Sequence, residues 1–317
     1  MTFSQEVKSE ILKSARNLQG GNATSFLTAV LKSAGSLTLV SGGFAFSLES
    51  DNLDFLKLCE NFAFGELDAE VIIETHKLNA KKQQTYTCTL GSSVGEKLAL
   101  TARDKDGTLS LCEDVAALIP NDANAKRSFM QGLFVASGSV VIPMPDKDNQ
   151  WSNTLNTKYH LELRFTDEAF ATAVAESFSE LEFHFLSRKS HCVLYLKDSE
   201  RIADFLVFVN ATKAKFVLED VKIARSIRNR FNRETNCTMG NIGKTVTAAG
   251  KQLNAIATLR EMGVFDGLPD QLKDVALLRE KYNEATLDEI ADMLSISKSG
   301  ASHRFAKLIE LSQRKNR

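Results

Sequence analysis

Residues 26–40 read FLTAVLKSAGSLTLV, and residues 129–142 read FMQGLFVASGSVVI. Both begin with a phenylalanine followed by apolar residues at helical spacing: Phe26, Val30 and Leu31 in one, Phe129, Leu133 and Phe134 in the other. Both then pass through a small residue and Gly-Ser into a β-prone run. A helix that stops at a glycine and gives way to a strand is the expected outcome twice over. The two glycines, Gly35 and Gly138, stand 103 residues apart, so the chain is read as a duplication.

The flanking sequence repeats in the same order. After each helix comes a hairpin-like pair of strands, then a short helix opened by acidic residues, at 51–54 in the first copy and 166–168 in the second. Acids suit a first helical turn because they offset its dipole. Two further strands follow each helix, at 70–77 with 84–90, and at 182–187 with 190–196. Each copy is therefore α-β-β-α-β-β-α, the second carrying an added polar loop at 143–156. The expected fold class is α+β: a tandem pseudo-twofold domain over 1–210, a basic helical linker over 211–262, and an all-α domain over 263–317.

At 317 residues the chain has room for about two cores. Its first residues, MTFSQEVKSEILK, lack the apolar run of a signal peptide. The longest unbroken apolar runs, such as 205–209, are five residues and fall far short of the roughly 20 that cross a bilayer. Five scattered cysteines, with no C-x-x-C, argue against a disulfide framework and a structural zinc. A cytoplasmic protein with no membrane partner is expected. From residue 205 onward the chain holds 19 Lys and Arg against 13 Asp and Glu, while the preceding part holds 20 against 27. A positive end joined to a negative beginning points to a nucleic acid as partner of the positive end.

The duplicated helix ending in a small residue and glycine resembles the LAGLIDADG motif of homing endonucleases. In that fold the two helices pack together, and an acid before each terminal glycine holds the divalent metal that activates water. Those positions are Ala34 and Ser137 here, and no Asp or Glu stands within two residues of either. The expectation is no catalytic residue, no metal and no cofactor. The strand at 157–165 alternates, with Lys158, His160, Glu162 and Arg164 on the face opposite Tyr159, Leu161, Leu163 and Phe165. Glu74, His76, Glu182 and His184 add to a surface of mixed sign, poorly suited to phosphates. His160, His184 and His191 are read as half-buried strand histidines of one sheet and not as a metal cluster.

Residues 221–233, VKIARSIRNRFNR, place Val221, Ala224, Ile227 and Phe231 on one helical stripe. Lys222, Arg225, Arg228, Arg230 and Arg233 cover the rest, either to meet phosphate or to face the acidic first domain. Residues 236–244, with two glycines, are expected to form a turn or hinge, and 263–269 a second break.

The last fifty residues have the spacing of a helix-turn-helix. A helix over 269–282 is expected to bury Leu272, Val275, Leu278 and Tyr282. Thr286 and Glu289 fit a capping box for a short second helix. After a turn at 295–297, Ser297 can cap a third helix over 298–311 with Ala301, Phe305, Leu308 and Ile309 inside. Its other side offers Lys298, Ser299, Gly300, Ser302, His303, Arg304 and Lys307, short polar and cationic groups able to reach base edges and phosphates in a major groove. Ser297, at the helix start, joins that set of expected DNA-contacting residues.

A degenerate LAGLIDADG-like duplication followed by a helix-turn-helix resembles the WhiA family of bacteria. The stretches that carry the resemblance are 129–140, 219–232 (EDVKIARSIRNRFN), 268–282 (LPDQLKDVALLREKY) and 296–304 (ISKSGASHR). The resemblance implies a regulator bound to double-stranded DNA in the nucleoid, linked to sporulation, cell division and chromosome segregation. It makes an RNA polymerase sigma factor or a cell-division protein the candidate protein partners. Two other classes stay open on the residues alone: a metal-dependent nuclease, and a scaffold whose first domain docks a protein while the helix-turn-helix anchors it.

Overall fold

A computed structural model describes residues 2–40, 43–76, 78, 84–103, 105–106, 109–144 and 158–314. It divides into two compact units, Met1–Ile223 and Ala224–Arg317.

The first unit opens with α1 (Phe3–Ala15), closed at its start by a capping box between Thr2 and Gln5. The first copy follows as α2 (Gly21–Ala34), β1 (Ser36–Val40), β2 (Gly43–Ser50), α3 (Leu53–Leu67), β3 (Val71–Thr75), β4 (Tyr86–Leu90) and the single turn α4 (Ser93–Lys97). A small hairpin, β5 (Thr101–Arg103) and β6 (Leu109–Leu111), then leads to the second copy. That copy comprises α5 (Ala123–Ser137), β7 (Gly138–Val141), β8 (His160–Phe165), α6 (Glu168–Ser177), β9 (His184–Ser187), β10 (Cys192–Leu196) and α7 (Ser199–Phe208). The expected loop at 143–156 lies outside the described residues from 145 onward.

The repeat is exact in topology. The two antiparallel sheets have the orders β1-β2-β4-β3 and β7-β8-β10-β9. Leu37, Phe46, Leu90 and Val71 are cross-strand partners in one, and Gly138, Leu163, Leu194 and Phe185 are their counterparts in the other. The acidic openings become caps: Asn52 accepts from the Phe55 amide and Asp167 from the Phe170 amide, each at 3.2 Å. Such caps satisfy amides that the first helical turn leaves unpaired.

The twin helices α2 and α5 pack side by side through the middle of the unit. Phe26, Ala29, Val30, Phe129, Met130 and Leu133 are fully buried there. Phenylalanines carry the packing outward: Phe26 meets Phe62 edge-on at 5.6 Å, and Phe129 meets Phe170 at 6.2 Å. The closest approach is at Gly132, where a Cβ would stand 2.3 Å from the Phe26 carbonyl oxygen. Both helices end where the repeat predicts, but not in a left-handed cap. Gly35 and Gly138 are extended (φ −72° and −88°), so each helix feeds straight into its strand. An ion pair joins the copies: Lys32 Nζ on α2 lies 2.8 Å from Asp167 Oδ2 at the start of α6.

Helix α8 (Thr212–Glu261) runs for 50 residues. Its first turns bury Ala214, Leu218 and Val221 in the first unit's core, and its last bury Ile256 and Leu259 in the second's. The hinge expected at 236–244 is absent, because the helix continues through it. No proline stands between residues 146 and 268 to forbid this. Thr238, Thr245 and Thr247 turn their hydroxyls back onto carbonyls one turn earlier, at 3.0, 3.0 and 2.8 Å. The stripe expected on the basic helix is also only partly buried. Val221 is inside, whereas Ile227 and Phe231 are exposed, since no other element of the second unit covers them.

The break at 263–269 is present, with Gly263 at φ +70° and a short 3-10 turn over Phe265–Gly267. Then come α9 (Asp270–Lys281), α10 (Leu287–Met293) and α11 (Lys298–Gln313). They enclose a small core of Ile256, Leu259, Phe265, Leu268, Val275, Ile290, Phe305 and Leu308.

Two outcomes follow for the first unit. Gly132→Val forces α2 and α5 apart and should cost about 3 kcal/mol or more, the upper range for overpacking a core; a urea titration of the variant measures the destabilisation. Asp167 bears an acidity prediction. Burial alone would raise its pKa, but the Lys32 ammonium and the α6 amides outweigh it and hold the carboxyl below its ordinary value. Its contribution is therefore present above the unfolded value of about 3.9 and vanishes as pH falls through the lowered folded value. Lys32→Met should lower thermal stability at neutral pH and shrink the fall in stability seen between pH 4 and pH 2.

Candidate nucleic-acid interface

The helix ends that would carry catalytic acids hold Ala34, exposed, and Ser137, whose hydroxyl donates to the Leu133 carbonyl at 3.1 Å. A cleft of about 1040 Å3 beside them is lined by Ala34, Gly138 and Ser139, with Lys8, Glu49 and Asp51 on its other walls. Those acids come from the end of β2 and the turn after it, not from the twin helices. Among the described residues, no group of three or more His, Cys, Asp and Glu is placed to hold a metal ion. Burial pushes the Cys88 thiol up to about 12, and Cys59 is likewise raised well above its ordinary value, so neither supplies a thiolate.

The outer face of β8 carries its own neutralisation. Glu162 sits 3.3 Å from His160 and 3.4 Å from Arg164, and the neighbouring Tyr195 ring packs between His160 and His184 at 5.9 and 5.3 Å. His160 is half-buried and His184 exposed, both on strands; His191 lies in the turn before β10, a correction to its expected strand position. No helix among the described residues is long and apolar enough to cross a membrane.

Helices α9, α10 and α11 build the other candidate surface from local signals. Thr286 accepts from the Glu289 amide at 3.2 Å while Glu289 reaches back to the Thr286 amide at 2.7 Å, completing the capping box. These bonds favour the ionised Glu289 and lower its pKa. The chain then reverses through Ser295 in the left-handed region (φ +51°). Ser297 caps α11, accepting from the Gly300 amide at 3.1 Å. Ala301, Phe305 and Leu308 face inward, and Ile309 is half-buried.

Ser299, Ser302 and His303 stand exposed near the start of α11, with Ser299 within 3.0 Å of the Ser297 hydroxyl. The cations of the helix are held by neighbours. Lys298 pairs with Asp288 at 2.6 Å, Lys307 with Glu310 at 2.9 Å, and Arg304 leans back 3.5 Å from the Gln271 carbonyl on α9. Arg304 thus flanks the exposed face and does not stand at its centre.

The cations expected on α8 do not act as one group. Lys222 is drawn into the first unit, 2.6 Å from Glu200 and 3.0 Å from Glu219. Burial opposes its charge, and these two carboxylates more than restore it, raising its pKa. Arg230 lies 3.9 Å from Glu234, while Arg230 and Arg233 are exposed and Arg225 and Arg228 half-buried.

Sequence reading missed Arg279. It is 1% exposed, the largest fully buried side chain among the described residues. Its Nε donates to Gln252 Oε1 at 2.8 Å, one terminal nitrogen reaches the carbonyls of Tyr282, Asn283 and Ala285, and its guanidinium lies 5.3 Å from the Phe305 ring. Burial lowers its pKa. The signal was available: residue 279 falls four positions after Val275 and three after Ala276, on the buried face of α9. Leu278 and Tyr282, expected inside, are displaced to its edge, and Tyr282 is 39% exposed.

A duplicated LAGLIDADG-like unit without helix-end carboxylates, followed by a capped helix-turn-helix, defines a two-part class of protein. Comparison narrows it. Residues 126–228 match the model of the WhiA LAGLIDADG-like domain, and residues 231–312 that of the WhiA C-terminal HTH domain. The probable cell division protein WhiA of Staphylococcus aureus strain USA300 is 31% identical over 321 residues, covering 99% of this chain and 97% of its own; that of strain JH9 matches equally. The full-length DUF199/WhiA crystal structure from Thermatoga maritima aligns with a TM-score of 0.55 at 21% identity over 99% of each chain, a likeness of fold. The chain belongs to the WhiA family.

Arg279→Met would leave the Gln252 oxygen and the Ala285 carbonyl buried without donors. A stranded polar group costs about 1–3 kcal/mol, partly offset here because no charge is then desolvated. The expected net destabilisation is about 2 kcal/mol, which differential scanning calorimetry of the full chain should register as a fall of roughly 10 °C in the transition of the second unit.

Proposed function

We propose that this chain is a double-stranded-DNA-binding regulator of cell division, reading DNA through α11. The observation that carries the proposal is the exposed row Ser299, Ser302 and His303 just after a capped helix start, with Lys298, Arg304 and Lys307 around it. Short polar side chains at that position reach base edges when such a helix enters a major groove, and the flanking cations meet phosphates. Ser297 and Gly300 shape the helix start, where free amides favour an anion. Arg225, Arg228, Arg230 and Arg233 on α8 add phosphate contacts, whereas Lys222 is engaged by Glu200 and Glu219.

The division role follows from the family and from the Staphylococcus aureus relatives, which are named probable cell division proteins. Direct regulation of transcription, chromosome segregation, a sigma factor or division protein as partner, and residence on the nucleoid in the cytoplasm belong to this same reading. So does a three-part division of labour, with 1–210 as the degenerate domain, 211–262 as a basic helical linker and 263–317 as the DNA reader. The first part contributes no hydrolysis: with Ala34 and Ser137 at the helix ends, nothing there supplies a metal-bound water. The alternative role, a scaffold in which the first unit docks a protein, is favoured by the mixed-sign sheet face around Glu162, His160 and His184.

Fluorescence anisotropy on genomic DNA fragments over a salt series tests the reading. Changing Lys298, Arg304 and Lys307 together to Ala should weaken binding and reduce the slope of log K against log salt by roughly 2 to 3, near 0.9 for each phosphate no longer neutralised. Ser299→Ala with His303→Ala should instead reduce discrimination between sequences at nearly unchanged slope. An unchanged slope in a folded triple variant would sink the proposal.

A further inference from the structure

Within the second unit, α8 presents an apolar ridge that no described residue of that unit covers. Met239, Ile242 and Val246 are each more than half exposed, and Ile227 and Phe231 extend the ridge toward the helix start. The spacing of 239, 242, 246, 249 and 253 is that of a helix seam packed against another helix. Beside the ridge runs a groove of about 760 Å3, walled by Ile242, Val246, Ala249 and Leu253 on one side and by Asn283, Glu284 and Thr286 on the other.

Charge is nearly missing from the α8 side of this surface. Residues 235–250 hold one charged side chain, Lys244, in sixteen positions, although an exposed helical face is normally rich in charge. The same stretch contains Gly240, Gly243 and Gly250, and at none of them would a Cβ meet any atom within 4 Å. Each helical glycine costs about 1 kcal/mol relative to alanine. Gly243 follows Met239 by four residues and Gly250 follows Val246 by four, so both border the ridge and leave room for a second backbone to approach.

We infer that the occupant is a second copy of this chain, its α8 lying antiparallel along the ridge and groove about a twofold axis near Ile242 and Gly243. A twofold interface needs one patch that complements itself. Ridge and groove share one helix here, so each copy offers the projection that the other's groove accepts. The scarcity of charge over 235–250 lets two identical surfaces meet with little repulsion. The antiparallel sense follows from the cations: a parallel pair would set Arg225, Arg228, Arg230 and Arg233 against their own copies, whereas the antiparallel pair sends them to opposite ends. Such a dimer holds two α11 helices in one particle, the arrangement that reads two half-sites, but the inference stands without DNA.

Sedimentation velocity of the full chain without DNA, from 1 to roughly 100 µM, tests it. The weight-average mass should climb from 35.0 kDa toward twice that value as concentration rises. Ile242→Asp with Val246→Asp changes side chains already exposed in one copy, so folding survives and the mass should stay at one chain. Gly243→Ala should raise thermal stability yet move the monomer–dimer midpoint at least tenfold higher in concentration. A single-chain mass throughout, or an unchanged midpoint in both variants, overturns the inference. So does an unchanged chain that stays at single-chain mass while the Asp variant, also a monomer, sediments differently, which would make the rest of the same chain the occupant.

Discussion

The first unit depends on the close passage of α2 against α5 at Gly132. A side chain there would collide with the Phe26 carbonyl, so the two backbones come nearer than ordinary side chains permit. That approach fixes where both helices end, and their ends fix where β1 and β7 begin, because Gly35 and Gly138 pass directly into strands. The sheets then have one placement each, with their leucines and phenylalanines against the helix pair. Catalysis is not needed to explain why such a pair is retained. The glycine at 132 is demanded by packing whether or not an acid stands at the helix ends, where Ala34 and Ser137 offer no carboxylate.

The second unit solves a different difficulty. Three short helices and the end of α8 enclose few large apolar side chains, and Arg279 occupies the middle of them. Its guanidinium donates to carbonyls in the turn before α10 and to the side-chain oxygen of Gln252 on α8, so one side chain fastens three segments. Desolvating a cation is costly, but neutral carbonyls gathered around it recover part of that cost and gain direction. The turn held this way presents Thr286, whose capping box starts α10 and hence sets where Ser297 and α11 fall. The orientation of the proposed reading helix thus traces back to a buried arginine on α9.

What was legible in the sequence was local or repeated. The duplication showed because the same helix-to-strand signal occurs twice, and the caps at Thr286 and Ser297 showed because a cap needs only three or four neighbouring residues; the acidic openings at 51–54 and 166–168 marked helix starts without showing that Asn52 and Asp167 cap them. The interior of α8 was not legible. Gly240 and Gly243 look like a hinge by composition, yet helix propensity is a weak preference that threonine back-bonding and the anchoring of both ends override. Arg279 was hidden for the opposite reason, since its partners at 252 and 282–285 are remote in sequence or belong to backbone. The β5–β6 hairpin escaped because two three-residue strands carry too little periodicity to read.

The cations around α11 bear on how such a surface would recognise its target. Lys298 and Lys307 are not idle charges awaiting phosphate: Asp288 and Glu310 hold them, and Glu310 also holds Arg314. Each is a surface pair worth little by itself. A phosphate must therefore displace a carboxylate at each contact, and the carboxylate left behind repels the DNA backbone. Both effects lower the affinity for DNA of any sequence. On the proposed reading they would leave contacts from Ser299, Ser302 and His303 nearly untouched, because these ion pairs involve only the flanking cations. A helix that read DNA in this arrangement would be weak where recognition is indiscriminate and would gain relative strength where the bases fit, its acids raising selectivity by suppressing the phosphate contribution alone.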